Sequence, residues 1–276
     1  MSFLLFAAAL ALYALAAAAY AVIFFSGRAE LRKTARPLLL AGFGLHGLCL
    51  LVRWAEIGRA PLATPHETVS FFAWGLVCGY LTLRLRAGGS GVKNLGLFVS
   101  LMTLILMAVA ACLPRAAIAE IPLASRSLWL PVHASLSLLA YGFFALAGVG
   151  GLMYLLQERN MKRKRFGLLY NRLPSLETLD RLGGHCLSVG FPLLTLGMIT
   201  GSLWAYQTHG SYWRWNPTEV WTLLTWLLYA ALFHQRLTVG WRGRRAAWLG
   251  LAALAFALFT FWGVTTFFSG YHGNFN

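Results

Sequence analysis

Long apolar runs, broken by short polar segments, extend along the whole chain. They lie at approximately 2–25, 38–57, 68–84, 95–113, 130–156, 186–205, 219–234 and 247–268. Each is near the ~20 residues that cross a bilayer as a helix. A helix satisfies its own backbone hydrogen bonds where there is no water to do so. The pattern predicts an all-α polytopic membrane protein with about eight transmembrane helices, forming a single integral membrane domain over 1–276. The third and seventh runs are the shortest. The longest segment between runs, about 157–185, reads as a basic linker with a short helix. Pro174-Ser175-Leu176-Glu177 within it has the form of a helix start. The first run is too long for a signal-peptide core and has no basic stretch before it, so it reads as a retained helix.

Composition supports this and narrows the function. Hydrophobic residues make up 59% of the chain and charged residues 11%, against roughly 25% charged in soluble domains. That excludes a soluble globular protein, a disordered chain, a disulfide-rich secreted domain and a coiled coil. The net charge of +15 raises the question of nucleic acid. The basic residues, however, are clustered in alternate loops, which argues for no nucleic-acid partner. Arg28, Arg32, Lys33 and Arg36 follow the first run, and Arg84, Arg86 and Lys93 the third. Arg159, Lys162, Arg163, Lys164, Arg165, Arg172 and Arg181 follow the fifth; Arg236, Arg242, Arg244 and Arg245 follow the seventh. Only Arg53, Arg59, Arg115, Arg126 and Arg214 lie at or near the other loops. The positive-inside rule puts the four basic loops in the cytoplasm and both termini outside, as expected for the bacterial inner membrane.

Cys49, Cys78, Cys112 and Cys186 are far apart and form no CxxC or CxxCH. They read as small apolar residues, with no thioredoxin-like site and no covalent c-type haem attachment. No nucleotide-binding motif is present, so no ATP-driven step is encoded.

The chemistry concentrates in the predicted outer loop at about 204–221. Trp204, Tyr206, Tyr212, Trp213, Trp215 and Trp221 crowd it, with Gly210, Pro217 and Glu219 among them. An interfacial belt needs one or two rings per helix end. This density reads instead as a π-rich platform for a large flat ligand. His133 opens the fifth run and His272 follows the eighth, at the same predicted level. Two imidazoles beside such a platform suit the axial positions of haem iron. Zinc is the competing metal, although no Cys or carboxylate cluster accompanies them. His46 lies mid-way along the second run and His234 near the cytoplasmic end of the seventh. Ionisable groups at such depths point to function, with a neutral imidazole bonded to a neighbouring helix as the plain alternative. His185 and His66 carry no expected role as ligands.

At this loop the sequence resembles a known family. Gly210-Ser211-Tyr212-Trp213-Arg214-Trp215-Asn216-Pro217-Thr218-Glu219 is similar to the tryptophan-rich WWD signature of haem-handling proteins. The wider pattern resembles the CcsA (ResC) family of system II cytochrome c biogenesis. It includes Gly190-Phe191-Pro192, Gly201-Ser202-Leu203-Trp204, Phe233-His234-Gln235-Arg236, Gly240-Trp241-Arg242-Gly243 and Gly270-Tyr271-His272. Val132-His133-Ala134-Ser135 with Tyr141, Arg53-Trp54, and Pro61-Leu62 with Glu67 fit the same family.

The resemblance implies a haem-handling subunit of a cytochrome c haem lyase or synthase. Haem b is its cargo, brought from the cytoplasmic side and presented at the outer face. There it is joined to an apocytochrome c bearing CxxCH, with a CcsB-like membrane protein as partner. His133 and His272 match the external iron ligands. His234 matches a transmembrane haem ligand, paired either with His46 or with a histidine of the partner. Trp204, Trp213, Trp215 and Trp221 would stack on the macrocycle, and Arg53 or Arg214 would pair with propionates. No nucleophile or acid–base pair is implied; the chain positions haem and acceptor thiols. Two positions depart from the family: His209 stands where Trp is usual, and Asn216 where Asp is usual. Asn keeps an acceptor but loses the charge. The rival readings are a HemX-type protein affecting haem-synthesis enzyme levels and a transporter of another solute. The dense loop disfavours the first; the second leaves His133 and His272 unexplained.

Overall fold

The computed structural model describes residues 1–86, 94–114 and 127–263. His272, together with Gly270 and Tyr271, lies outside the described residues. Within them the secondary structure is entirely helical: α1 Ser2–Ser26, α2 Arg32–Ile57, α3 Pro65–Arg86, α4 Leu95–Cys112, α5 Trp129–Lys162, α6 Leu168–Arg172, α7 Leu176–His209, α8 Pro217–His234 and α9 Arg244–Leu258. Five-residue π turns extend α8 (Gln235–Val239) and α9 (Phe259–Gly263). Among the described residues seven helices are long and apolar enough to cross a membrane: α1 to α5, α7, and α9 with its π turn. The chain is therefore a multi-pass membrane protein. The seventh predicted span corresponds to α8, which is outside that set. Pro217, Thr218 and Glu219 fill its first turn, and Thr222 and Thr225 interrupt its apolar run.

The structure differs from the sequence reading between 157 and 185. α5 continues to Lys162, α6 is one short turn of helix, and Pro174-Ser175-Leu176-Glu177 opens α7 itself rather than a short helix. Ser175 caps α7 by accepting the Thr178 N–H. The long side chains of Lys, Arg, Glu and Leu lose little rotamer freedom in a helix, so polar sequence here does not break helical structure. Arg181 and Glu177 pair one turn apart, while Leu179 and Leu182 on the other face are buried.

The helices gather into two compact units, one from Met1–Pro122 with Asn160–Pro174 and the other from Leu123–Arg159 with Ser175–Asn276. In the first, α1 packs on α2 and α4, and α3 on α4. The buried positions of α1 are Phe6, Ala9, Tyr13, Ala16, Ala17, Tyr20, Ile23 and Phe24, one helical stripe at spacings of three and four. Gly96 of α4 meets the Tyr20 ring so closely that an added Cβ would stand 2.7 Å from it.

Polar groups tie the ends of this unit. Glu67 and Thr64 form a reciprocal cap on α3: the Glu67 N–H donates to Thr64 Oγ1 and the Thr64 N–H to Glu67 Oε2. The same carboxylate accepts from Arg59 Nη1 at 2.9 Å and Arg53 Nε at 3.4 Å. Glu67 is 2% exposed, and its charge is met by these donors together with the Ala63 N–H.

In the second unit α8 contacts α7 and α9. Phe144 of α5 stacks on Tyr229 of α8 at 3.6 Å. Trp226 Nε1 donates to Thr195 Oγ1 of α7, and Thr225 and Thr260 hydroxyls bond at 2.7 Å. Below α8, Arg236 Nη2 pairs with Asp180 Oδ2 at 2.9 Å, and Asp180 Oδ1 accepts the Gly243 N–H.

Removing the Glu67 carboxylate would strand two arginines and uncap α3. Glu67→Ala should destabilise the protein by about 3–5 kcal/mol. Glu67→Gln, which keeps acceptor oxygen for the cap, should lose less. Thermal unfolding in detergent checks both; an Ala variant as stable as the parent would contradict this account of the cluster.

Candidate functional site

The aromatic loop is fixed by helix-end chemistry. α7 stops at His209 because Gly210 turns into the left-handed region, φ 72°, and returns its N–H to Tyr206 O at 2.8 Å. α8 starts at Pro217, whose missing N–H costs nothing in the first turn. Asn216 caps it by accepting the Glu219 N–H at 2.9 Å. Glu219 Oε2 reaches back to accept the Arg214 N–H at 2.7 Å. The turn is thus pinned at both ends. The Tyr206 and Tyr212 rings stack at 4.3 Å, and Trp213 meets Trp215 edge to face at 5.8 Å. Trp215 has φ 58°, a left-handed conformation unusual for a bulky residue, and is 73% exposed.

His133, in the first turns of α5, faces α7 of the same unit. Its Nδ1 lies 2.7 Å from the Gly197 carbonyl. A carbonyl only accepts, so Nδ1 carries the proton and the Nε2 lone pair is left for an outside partner. The ring fits because α7 has no side chain there: a Cβ on Gly201 would lie 2.6 Å from Nδ1, and one on Gly197 2.6 Å from Ser137 Oγ. His133 and Ser137, one turn apart on α5, therefore seat against Gly197 and Gly201, one turn apart on α7.

His133, Trp204, His209, Trp213, Asn216 and Glu219 line one cleft of about 90 Å³, together with Ser202 and Thr218. Trp204 is buried at 7% exposure, and His209 Nδ1 sits 2.7 Å from Thr208 Oγ1. Two polar atoms of these residues, Trp213 Nε1 and Thr218 Oγ1, are buried and have no hydrogen-bond partner among the described residues. The arrangement combines an imidazole with a directed lone pair, large rings and vacant hydrogen-bonding groups.

The remaining sequence-predicted residues are elsewhere. Trp215 is exposed beside Trp213 and does not line the cleft. Trp221 packs against Phe256 and Phe259 of α9 and its π turn, with ring centroids at 5.1 and 5.0 Å. His234 is exposed at the end of α8, where its carbonyl accepts from Thr238 Oγ1. His46 is completely buried in the first unit. Its Nε2 lies 2.9 Å from Ser70 Oγ and its Nδ1 3.4 Å from Tyr13 OH. Among the described residues no group of three or more His, Cys, Asp or Glu is placed to hold a metal ion. Ser202 and Thr218 were not singled out from sequence, nor was Gly197-x-x-x-Gly201, although that small-residue spacing is itself a helix-contact signal.

Known proteins match this chain over most of its length. A family model described as cytochrome C assembly protein covers residues 63–272, which include the α5 histidine and the whole aromatic loop. Cytochrome c biogenesis protein CcsA of Guillardia theta is 34% identical over 229 residues, 76% of this chain and 74% of that protein. The Chlamydomonas reinhardtii protein of that name is 32% identical over 88% of this chain and 69% of its own length. The Synechococcus elongatus one is 30% identical over 84% of this chain and 85% of its own. On these matches the chain belongs to the cytochrome c assembly protein family, and within it to the CcsA proteins of cytochrome c biogenesis.

Proposed function

We propose that the chain holds haem b at the outer face of the bacterial cytoplasmic membrane and presents it, as substrate, for attachment to a CxxCH-bearing apocytochrome c. The observation that carries this reading is His133. Its Nδ1 proton is committed to Gly197 O, and its ring lines the same cleft as Trp204 and Trp213. A backbone carbonyl behind a ligating imidazole fixes the tautomer and ring angle, as at other metal-bound histidines. The residues fit the cargo: haem is apolar over its faces, takes axial imidazole and carries two carboxylates.

In this reading His133 and His272 are the external iron ligands. Trp204 and Trp213 contact the macrocycle, Trp215 extends that surface outward, and Trp221 anchors α8 to α9 so that the loop keeps its place. The cleft of about 90 Å³ is well below the ~300 Å³ of a pocket that encloses a small molecule. The macrocycle therefore lies against the loop with only an edge in the cleft. That leaves the rest of it open to an acceptor.

His234 serves a second haem position near the cytoplasmic side. Its partner comes from a CcsB-like protein rather than from His46, whose two ring nitrogens are already engaged by Ser70 and Tyr13. A companion with its own outer domain is needed for another reason: the loops here are too short to grip an unfolded apocytochrome. Bond formation belongs to the haem vinyl groups and the acceptor thiols, and this chain supplies orientation and shielding.

Both termini are outside, with α8 as a crossing helix. Its 18 residues span about 27 Å, close to the bilayer core of ~30 Å. Reporter fusions after Arg165 and Arg245 should read as cytoplasmic, and fusions within 206–216 and after Asn276 as external. An external signal at Arg165 would put the aromatic loop on the wrong side and end this reading.

Replacing His133 with Ala should lower haem bound per protein by about tenfold or more, a loss of the size seen when metal-site support is removed. Gly201→Val should act in the same direction without touching a ligand, because its side chain occupies the space of the His133 ring. His185→Ala should leave haem content unchanged. Absorbance spectra at matched protein concentration measure all three. Full haem content and an unaltered spectrum in both His133→Ala and Gly201→Val would refute His133 ligation.

A further inference from the structure

We propose that a crevice between α5, α7, α8 and α9 seats part of one acyl chain of an anionic phospholipid, with Arg242 and Arg245 beside it holding the headgroup. The site lies within the second unit, away from the aromatic loop, and does not depend on haem binding there.

The starting point is space that packing leaves open. Glycine weakens a helix, and in a membrane that loss is normally offset by close contact with a neighbouring helix. Other glycines of this unit fit the rule. An added Cβ would stand 2.3 Å from Leu254 Cδ2 at Gly148, and 2.5 Å from Arg236 Nε at Gly184. Gly183 of α7 and Gly250 of α9 do not fit it. A Cβ on either would meet nothing within 4 Å, yet both residues line the crevice. Their effect is to keep clear a space that no described residue fills.

Size and lining select a chain. The crevice measures about 70 Å³, room for about five methylene-sized groups. That suits a segment of hydrocarbon rather than a ring system. Leu187, Leu232 and Leu249 line it from three helices and are themselves only half-buried, so it opens at the surface of the unit. Gln235, Arg236 and Trp241 line it where α8 gives way to its π turn and the loop beyond. Apolar wall and polar rim thus follow each other as the parts of a lipid do, with a tryptophan at the junction, where membrane proteins commonly place one.

Charge selects the headgroup. Arg242, Arg244 and Arg245 are interleaved along the chain with the lining residues Trp241, Gly243 and Ala246. Arg236 is committed to Asp180, and Arg244 lies 3.7 Å from Glu158. Arg242 and Arg245 are exposed and have no ion pair among the described residues. Two positive charges are therefore left beside the crevice, at the start of α9, whose positive end adds to their field. Basic clusters beside crevices between membrane helices bind anionic lipid headgroups. A zwitterionic headgroup carries its own cation and gains little from them.

The test offers purified full-length protein in detergent either dioleoyl phosphatidylglycerol or dioleoyl phosphatidylcholine, which share their chains and differ in charge. Native mass spectrometry counts the lipid retained. The parent should hold one phosphatidylglycerol about tenfold or more tightly than phosphatidylcholine, the effect of two basic residues on an anionic headgroup. Replacing Arg242 and Arg245 together by Gln should bring that ratio towards one, and replacing both by Lys should preserve it. Gly183→Leu and Gly250→Leu, which fill the crevice, should lose both lipids, and their melting curves without lipid show whether they fold. If neither folds, the arginine variants decide. Equal retention of the two lipids by the parent would overturn the proposal, as would parental retention in folded Gly183→Leu and Gly250→Leu. Displacement of the lipid by equimolar haem, with that haem binding lost in the same two variants, would give the crevice to haem and overturn it too. Loss of the lipid site would leave haem presentation at His133 standing.

Discussion

His133 can give its Nδ1 proton to the Gly197 carbonyl only because α7 carries no side chain at Gly197 or Gly201. In a membrane there is no hydrophobic drive to pull helices together, so close approach depends on small residues and on polar contacts made across the gap. Here the two coincide: glycines open the groove, and the bond that fills it aims the imidazole. The cleft depends on this contact. With α5 held against α7 in this way, His133, Trp204 and Trp213 line the same space.

The charged residues obey the same low-dielectric constraint. Glu67 is buried but lies at a helix start, where backbone N–H groups and two arginines meet it. Asp180 and Arg236 pair near helix ends, with the Gly243 N–H as a third partner. At mid-helix, by contrast, the polar cluster is His46 with Ser70 and Tyr13, groups that can share hydrogen bonds while uncharged. Full charges at the ends and neutral polar contacts in the middle keep desolvation costs low. That gradient is the reason His46 reads as a link between α1, α2 and α3, whereas His234 is exposed at the end of α8.

Much of this was legible in the sequence because bilayer thickness imposes a length on apolar runs. Every predicted run falls on a helix as far as the described residues extend. What the hydropathy pattern concealed was helix continuing outside the apolar runs, as in Lys162 of α5 and Leu176–His185 of α7, since solvated polar residues form helix as readily as apolar ones. The site was half legible. The rings and histidines announced themselves by type, but type does not give direction. Trp221 turns to α9 and Trp215 outward, and only the caps at Gly210 and Asn216 determine which rings of the loop face His133.

The role of Asn216 follows from the same helix start. The side chain at this position accepts the Glu219 N–H, and Asn and Asp serve that role about equally well. An Asp at this position would keep the cap and add one negative charge to the cleft lining. Glu219, three residues on, still supplies the carboxylate that holds the Arg214 N–H. The loop thus takes its shape from one acid, Glu219, and one neutral cap, Asn216.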